Sequence, residues 1–307
     1  MTAKDNSIAC FGEVLWDIFP PNNKQAGGAP FNVAYHLNKM HTQATMISSV
    51  GKDGLGHEIL EKIKNWGIST QHIQVDSLHP TSTVIAHIDE NNEAHYDILE
   101  QVAWDFIELK DTDKALLQQT KAFVFGSLAA RAAASKNTLF ELVEASSFNV
   151  FDVNLRPPHS DIKTIKELLH KTQLAKFNKA ELKLVLSYTG KEYTTEKDAL
   201  RYLQDIFDLQ EIIVSKGSKG ALYAKGDAVY RYPAVPVTVA DTVGSGDSFL
   251  AGFLSKRFQT EDVHETMLQA ICLGAFITSK FGACPDYTYA DFEDFKTLHK
   301  AIQPLPF

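Results

Sequence analysis

The feature that most constrains this chain is a rhythm in which short β-branched or apolar runs alternate with longer stretches of helical periodicity. "SIACFG" precedes a helical pattern over 30–40, "ATMISSV" one over 54–65 and "AFVFG" one over 133–146. "FNVFDV" and "LAKF" do the same for 160–169 and 179–187. That alternation predicts βαβ units, hence an α/β fold with a mostly parallel central sheet flanked by helices. The stretch 211–238, with "EIIVS", "GALYAK", "AVYRY" and "VPVTV", breaks the rhythm and predicts an antiparallel edge or hairpins. Two longer helices are predicted over 245–258 and 261–280.

One segment stands outside the pattern. In "TVIAHIDENNEAHYDI", Val84, Ala86 and Ile88 alternate with Ile85, His87 and Asp89. Beyond an Asn91-Asn92 turn, Ala94, Tyr96 and Ile98 alternate with His95 and Asp97. Strict alternation across a turn predicts a β-hairpin, placed as a small lid over an α/β site or as a surface excursion without a role. An apolar hairpin face favours a cover, and pairing of two lids would supply it, so a homodimer is expected. No repeat or low-complexity linker divides the chain, which predicts one domain over 1–307.

With 44% hydrophobic residues the chain can fill a sizeable core, and its formal net charge is −8. That balance argues against a general nucleic-acid or anionic-membrane binder, so a bound phosphate must be held locally. Cys10, Cys272 and Cys284 show no CxxC or ligand-like spacing, which suits a reducing interior. The N-terminus lacks a basic segment followed by an apolar signal core, and a cytoplasmic protein is expected.

The strongest chemical signal is "VADTVGSGDSFLAGFL", where Asp241 and Asp247 flank Gly244-Ser245-Gly246 ahead of an apolar run. Glycines at a helix start present unpaired N–H groups, and the helix dipole favours an anion there. The dipole should also keep Asp247 ionised, able to take a proton from a hydroxyl. An anion hole beside such a base describes phosphoryl transfer to an alcohol. The plain alternative is a tight turn with an acidic residue complementing the dipole.

Other strand ends carry polar groups. "KFNKAEL" sets Asn178 and Glu181 three apart, as either organisers of hydrated Mg²⁺ or a helix capping box. "FDVNLRPP" brings Arg156 to a strand end, for a phosphate or as a solvated loop arginine. "GEVLWDIFP" and "GGAPFNVAYHL" place Glu13, Asp17, Gly27, Gly28 and Asn32 where sugar hydroxyls could be paired, with Asn32 equally able to cap a helix. "VSKGSKG" could admit a nucleotide or simply turn the chain. There is no GxxxxGK[ST], "GKDGLG" is not a dinucleotide fingerprint, and the histidines show no ligand spacing.

Taken together, "GGAPFNVAYHLN" and "DTVGSGDSFLAGFL" resemble the two signatures of the ribokinase-like PfkB sugar kinases. Between them "VGKDGLG", "DVNLRP", "KFNKAE", "VSKGSKG" and "FGACP" fall in that family's order, and the resemblance spans the chain. "GEVLWDIFP", "FGSLAAR" and "EQVAWD" look most like fructokinases. The resemblance implies a ribokinase-like sheet of about eight or nine strands, with a lid formed mainly by about 81–107 and part of 16–28. It implies Asp247 as catalytic base and the N–H groups of Gly244, Ser245 and Gly246 as anion hole. Asp17, Gly28, Asn32 and Arg156 would contact sugar. Asn178, Glu181, Ser215, Gly217 and Gly220 would hold ATP, with Mg²⁺ reached from Glu181 through water. Asp241, with carbonyls near Gly282 and Ala283, matches a K⁺ site. Ser245 and Ser248 depart from a usual alanine, and Lys216 from an aliphatic residue or threonine.

The expected activity is therefore ATP- and Mg²⁺-dependent phosphorylation of a small sugar, fructose first. Ribose, 2-keto-3-deoxygluconate and nucleosides are the rival acceptors, the last needing a stacking ring from Phe31 or Trp104. A non-catalytic sensor and a dinucleotide oxidoreductase are the rivals from other classes.

Overall fold

The computed structural model describes residues 7–19, 23–88 and 94–306. In chain order the strands are β1 (Ser7–Phe11), β2 (Leu15–Phe19), β3 (Asn23–Gly27), β4 (Gln43–Gly51), β5 (Ile73–Asp76), β6 (Ser82–Ile88) and β7 (Ala94–Ile98). Then come β8 (Ala122–Gly126), β9 (Asn149–Asp152), β10 (Leu174–Asn178), β11 (Glu211–Ser215), β12 (Ala221–Lys225) and β13 (Ala228–Tyr232). The helices are α1 (Ala29–Lys39), α2 (Gly54–Asn65), α3 (Asp111–Gln119), α4 (Ala133–Ala145) and α5 (Ile162–Leu169). They continue with α6 (Lys179–Tyr188), α7 (Glu196–Phe207), α8 (Ser245–Arg257), α9 (Val263–Thr278) and α10 (Tyr289–Leu298).

Nine strands form one sheet in the order β13-β12-β11-β10-β9-β8-β1-β4-β5. Every pairing from β5 to β11 is parallel, and β12 and β13 add antiparallel at one edge. The parallel strands are apolar on both faces because helices cover both. In β1, Ile8 and Cys10 join a core with residues of α1, α8 and α9, whereas Ala9 and Phe11 join a second core with α4, α5, α6 and α7. After β1 the chain builds outward through β4 and β5, then returns to the opposite side of β1 with β8. Strand order reverses there, and in open α/β sheets the crevice beyond the strand ends at such a point is where ligands bind.

A separate four-stranded sheet has the order β3-β2-β6-β7 and fits a lid. β6 pairs parallel with β2 and antiparallel with β7, so the expected hairpin is present, while its Asn91-Asn92 turn lies outside the described residues. The lid strands stop at Ile98. Val102, Trp104 and Ile107, expected as lid, are buried in the second core, and Ala103 is buried beside them.

Two further expectations differ. β11 belongs to the parallel run, so the antiparallel edge begins only at β12. "VPVTV" is not a strand: Pro236 has no N–H to donate, and the outer edge of β13 is taken by a bridge from Arg231 to Leu305. Among the described residues no helix is long and apolar enough to cross a membrane.

Candidate active site

The loops after β1, β9, β10 and β11 and the start of α8 carry the polar residues that the sequence singles out. α1 begins at Gly28, whose φ of 118° and tight packing exclude a side chain: a Cβ there would lie 2.2 Å from the Glu13 carbonyl oxygen. Proline near the first position suits the helix start, and Glu13 Oε1 accepts from Ala29 N–H at 3.1 Å. Asn32, one turn on, is buried and donates from Nδ2 to Asp247 Oδ2 at 2.8 Å.

Gly244 caps α8 in the left-handed region at φ 73°, and a Cβ would meet the Ala283 Cα at 2.7 Å. The chain therefore turns sharply against the 282–284 segment and aims the first-turn N–H groups outward. Of these, Ser245 N–H reaches back to Thr242 O at 3.3 Å, so it is less free than the sequence suggests. Ser245 Oγ accepts from Thr278 at 2.9 Å, and Ser248 Oγ donates to Ser245 O at 3.1 Å. Both departures from alanine are thus absorbed in local hydrogen bonds.

Asp247 is not simply an ionised dipole partner. Enclosure by protein, then the Asp152 charge, push its pKa up to about 6, against the pull of Lys176, Asn32 and Arg156. Near pH 7 it is still mainly a carboxylate. Burial raises Asp17 to about 6 and Glu13 to about 7, with Arg156 opposing and Asp247 adding to both. Arg156 is exposed and sits within electrostatic reach of all three carboxylates. Asp17, Gly28, Asn32, Arg156 and Asp247 therefore lie around one place.

On the neighbouring strands, Asn178 and Glu181 form a capping box. Asn178 Oδ1 accepts from Ala180 and Glu181 N–H, both at 2.9 Å, and Glu181 Oε2 accepts from Asn178 N–H at 2.7 Å. Glu181 Oε1 also accepts from Leu155 N–H at 3.0 Å, tying α6 to the Arg156 loop. Ser215 lies beside Asn178 in the β10/β11 register, and Gly217 and Gly220 follow in the turn into β12. Lys216 is drawn away to Glu196 at 2.7 Å.

Both Glu181 oxygens already hold backbone donors, and no group of three metal-ligating side chains gathers among the described residues. This arrangement fits a hydrated magnesium reached through water, which needs few protein carboxylates, and does not fit an inner-sphere cage. Asp241 accepts from Val243 N–H at 3.0 Å and Gly282 N–H at 2.9 Å, bracing the turn before α8. The Ala283 carbonyl bonds His36 Nε2 at 2.8 Å.

Glu13, read from the sequence as a partner for sugar hydroxyls, is buried, with Oε2 unpartnered among the described residues. Two further residues were left without a role by sequence reasoning. Lys176 interrupts an apolar strand, which is itself a signal, and pairs with Asp152 opposite it in β9. Cys284 contacts Asn32 at 3.3 Å, which only the fold reveals. Phe31 and Trp104, the candidate stacking rings for a nucleoside, are both fully buried, against Trp66 and under Arg131.

Residues 7–288 match the family described as pfkB family carbohydrate kinase. The chain belongs to that family. It is 26% identical over 297 residues to the fructokinase of Salmonella typhimurium, covering 91% of this chain and 95% of that one. It is also 26% identical over 276 residues to the deoxyribokinase of the same species, covering 89% and 88%. The crystal structure of fructokinase with bound ATP from Xylella fastidiosa superposes with a TM-score of 0.85 at 20% identity, covering 96% of this chain and 99% of that one. The fold is accordingly ribokinase-like, and membership of the pfkB family makes the protein a sugar-phosphorylating phosphotransferase. A dinucleotide oxidoreductase is set aside.

Proposed function

We propose that this pfkB-family kinase transfers the γ-phosphoryl group of ATP to a hydroxyl of fructose. The observation that carries the reading is the Asp247 carboxylate, held by Asn32 at the glycine start of α8 and facing Asp17 and Arg156. The fructokinase relative supports the substrate, and the ATP in the Xylella structure supports the donor.

In this mechanism Asp17, Asn32 and Arg156 orient the sugar, Gly28 leaves room for it, and Asp247 takes the proton as the hydroxyl oxygen bonds to phosphorus. ADP leaves with the electrons of the broken bond. The N–H groups of Gly244, Ser245 and Gly246 meet the charge on the transferring group, each such donor being worth ~10²–10³ in rate. Asn178, Glu181, Ser215, Gly217 and Gly220 hold the nucleotide. Bound magnesium, reached from Glu181 through water, would neutralise phosphate charge. Asp241, with carbonyls near Gly282 and Ala283, would hold K⁺. The chain acts as one domain over 1–307 whose lid, the sheet of β2, β3, β6 and β7, covers the sugar and pairs with a second copy. Three free cysteines suit the cytoplasm.

The test is ADP release with Mg-ATP against fructose, ribose, deoxyribose, 2-keto-3-deoxygluconate and adenosine, for wild type and Asp247→Asn. Fructose-dependent turnover lost by at least ~10² in the variant supports the reading. Turnover on another sugar replaces the substrate, and a variant keeping a tenth of the rate removes Asp247 from the role. Ligand binding without turnover would favour a sensor.

A further inference from the structure

The Asn32 carboxamide is engaged at both ends. Its Nδ2 donates to Asp247 Oδ2 at 2.8 Å, and its Oδ1 accepts from the Cys284 thiol at 3.3 Å. Rotated by half a turn, the amide would set its oxygen against the carboxylate, two acceptors facing each other. The thiol is what gives the oxygen a partner on the other side.

Cys284 is placed by rigid contacts rather than by a loose loop. Its segment is fastened to α1, the helix that also carries Asn32. Tyr35 donates to Pro285 O at 2.6 Å, and Lys39 donates to Tyr287 O at 2.7 Å. His36 bridges Tyr287 Oη at 2.9 Å and Ala283 O at 2.8 Å. Burial holds the His36 pKa down to about 4, so the ring is neutral, donating to the carbonyl and accepting from the phenol. At 3.3 Å from the amide oxygen, the Cys284 thiol is placed as its donor.

We propose that Cys284 is a positioning residue for phosphoryl transfer: its thiol holds the Asn32 carboxamide in the orientation that donates to Asp247. The inference rests on Asp247 being the base. The groups facing Asp247 are Glu13 and Asp17 around β2, Asp152 from β9, Arg156 beyond it, Lys176 from β10, and Asn32 and Cys284. Replacing the neutral thiol changes none of their formal charges. Its effect on Asp247 therefore runs through the amide, whose donation favours the ionised base.

The experiment is the pH dependence of kcat/KM for wild type, Cys284→Ala and Cys284→Ser, on the sugar that turns over, with melting curves alongside. Cys284→Ala is expected to move the acid limb up by about half a pH unit or more and to lose about tenfold at neutral pH, most of that loss coming from the freed Asn32 amide no longer orienting base and sugar. Cys284→Ser, whose hydroxyl can donate to the same oxygen, should recover most of both. A purely structural role would lower the melting temperature and leave the limb in place. If the alanine variant does not fold, Cys284→Val, which fills the volume without a donor, replaces it. A donor-free variant with the wild-type limb and a rate within twofold overturns the proposal, as does a serine variant that recovers neither. An active Asp247→Asn would instead bring down the underlying assignment of the base.

Discussion

The Lys176 ammonium lies 2.8 and 2.7 Å from the two carboxylate oxygens of Asp152, with both side chains almost wholly buried. Burial favours loss of the proton, but the Asp152, Asp247 and Glu181 charges outweigh it and hold the pKa above the usual lysine value. A Cβ on Gly246 would come within 3.4 Å of Lys176 Nζ, so this cation sits under the start of α8. Buried ion pairs add little net stability over apolar isosteres, which makes its position, beneath the proposed anion hole, the informative part.

Lys176→Met should destabilise the protein by about 3–5 kcal/mol, because it strands a buried carboxylate. Pairing it with Asp152→Leu should restore most of that in urea unfolding while activity stays low. A single variant as stable as wild type would mean that Asp152 finds solvent or another partner.

The pKa of Asp247, near 6, sets a pH profile. A base must be ionised to accept a proton, so kcat/KM should be level above about pH 7 and fall towards tenfold per unit below pH 6. A profile flat from pH 5 to 8 would contradict the assignment.

Stability should move the other way. Glu13 and Asp17 have folded-state pKa values of about 7 and 6, above the ordinary 4.5 and 3.8. The folded state thus holds protons that the unfolded chain releases, and stability falls as pH rises from about 4 to 7. Glu13→Gln should be more stable than wild type at pH 8, by up to about 3 kcal/mol, and so melt higher there, and be close to it at pH 4. Equal melting temperatures at both pH values would show that Glu13 ionises freely in the fold.

Gly244→Ala should cost both stability and at least ~10² in rate, since it strains a left-handed residue and pushes the α8 turn off Ala283. Gly54→Ala is the control, because a Cβ at Gly54 meets nothing within 4 Å. Similar melting and kinetics for the two variants would refute the packing argument.

Much of the protein was legible in its sequence. The βαβ order, the lid hairpin and the helices after "GGAP" and "VGSG" follow from local periodicity and from glycine, properties carried by neighbouring residues. The motif residues Asn32, Arg156, Asn178, Glu181 and Asp247 stand out because each follows a strand or opens a helix, whereas Asp17, expected at a strand end, lies in the middle of β2. α3, α7 and α10 were missed although helical hydrogen bonds are local, whereas β5 and the true start of the antiparallel edge depend on strand partners distant in sequence.

What only the tertiary structure decided is how these groups act on one another. Sequence alone made Asp247 an ionised carboxylate under a helix dipole, whereas its enclosure beside Asp152 raises its pKa to about 6. Lys176 meets Asp152 across 24 residues, and Cys284 meets Asn32 across 252. Desolvation and pairwise charge depend on distance in space, and the chain's local pattern carries no record of that distance.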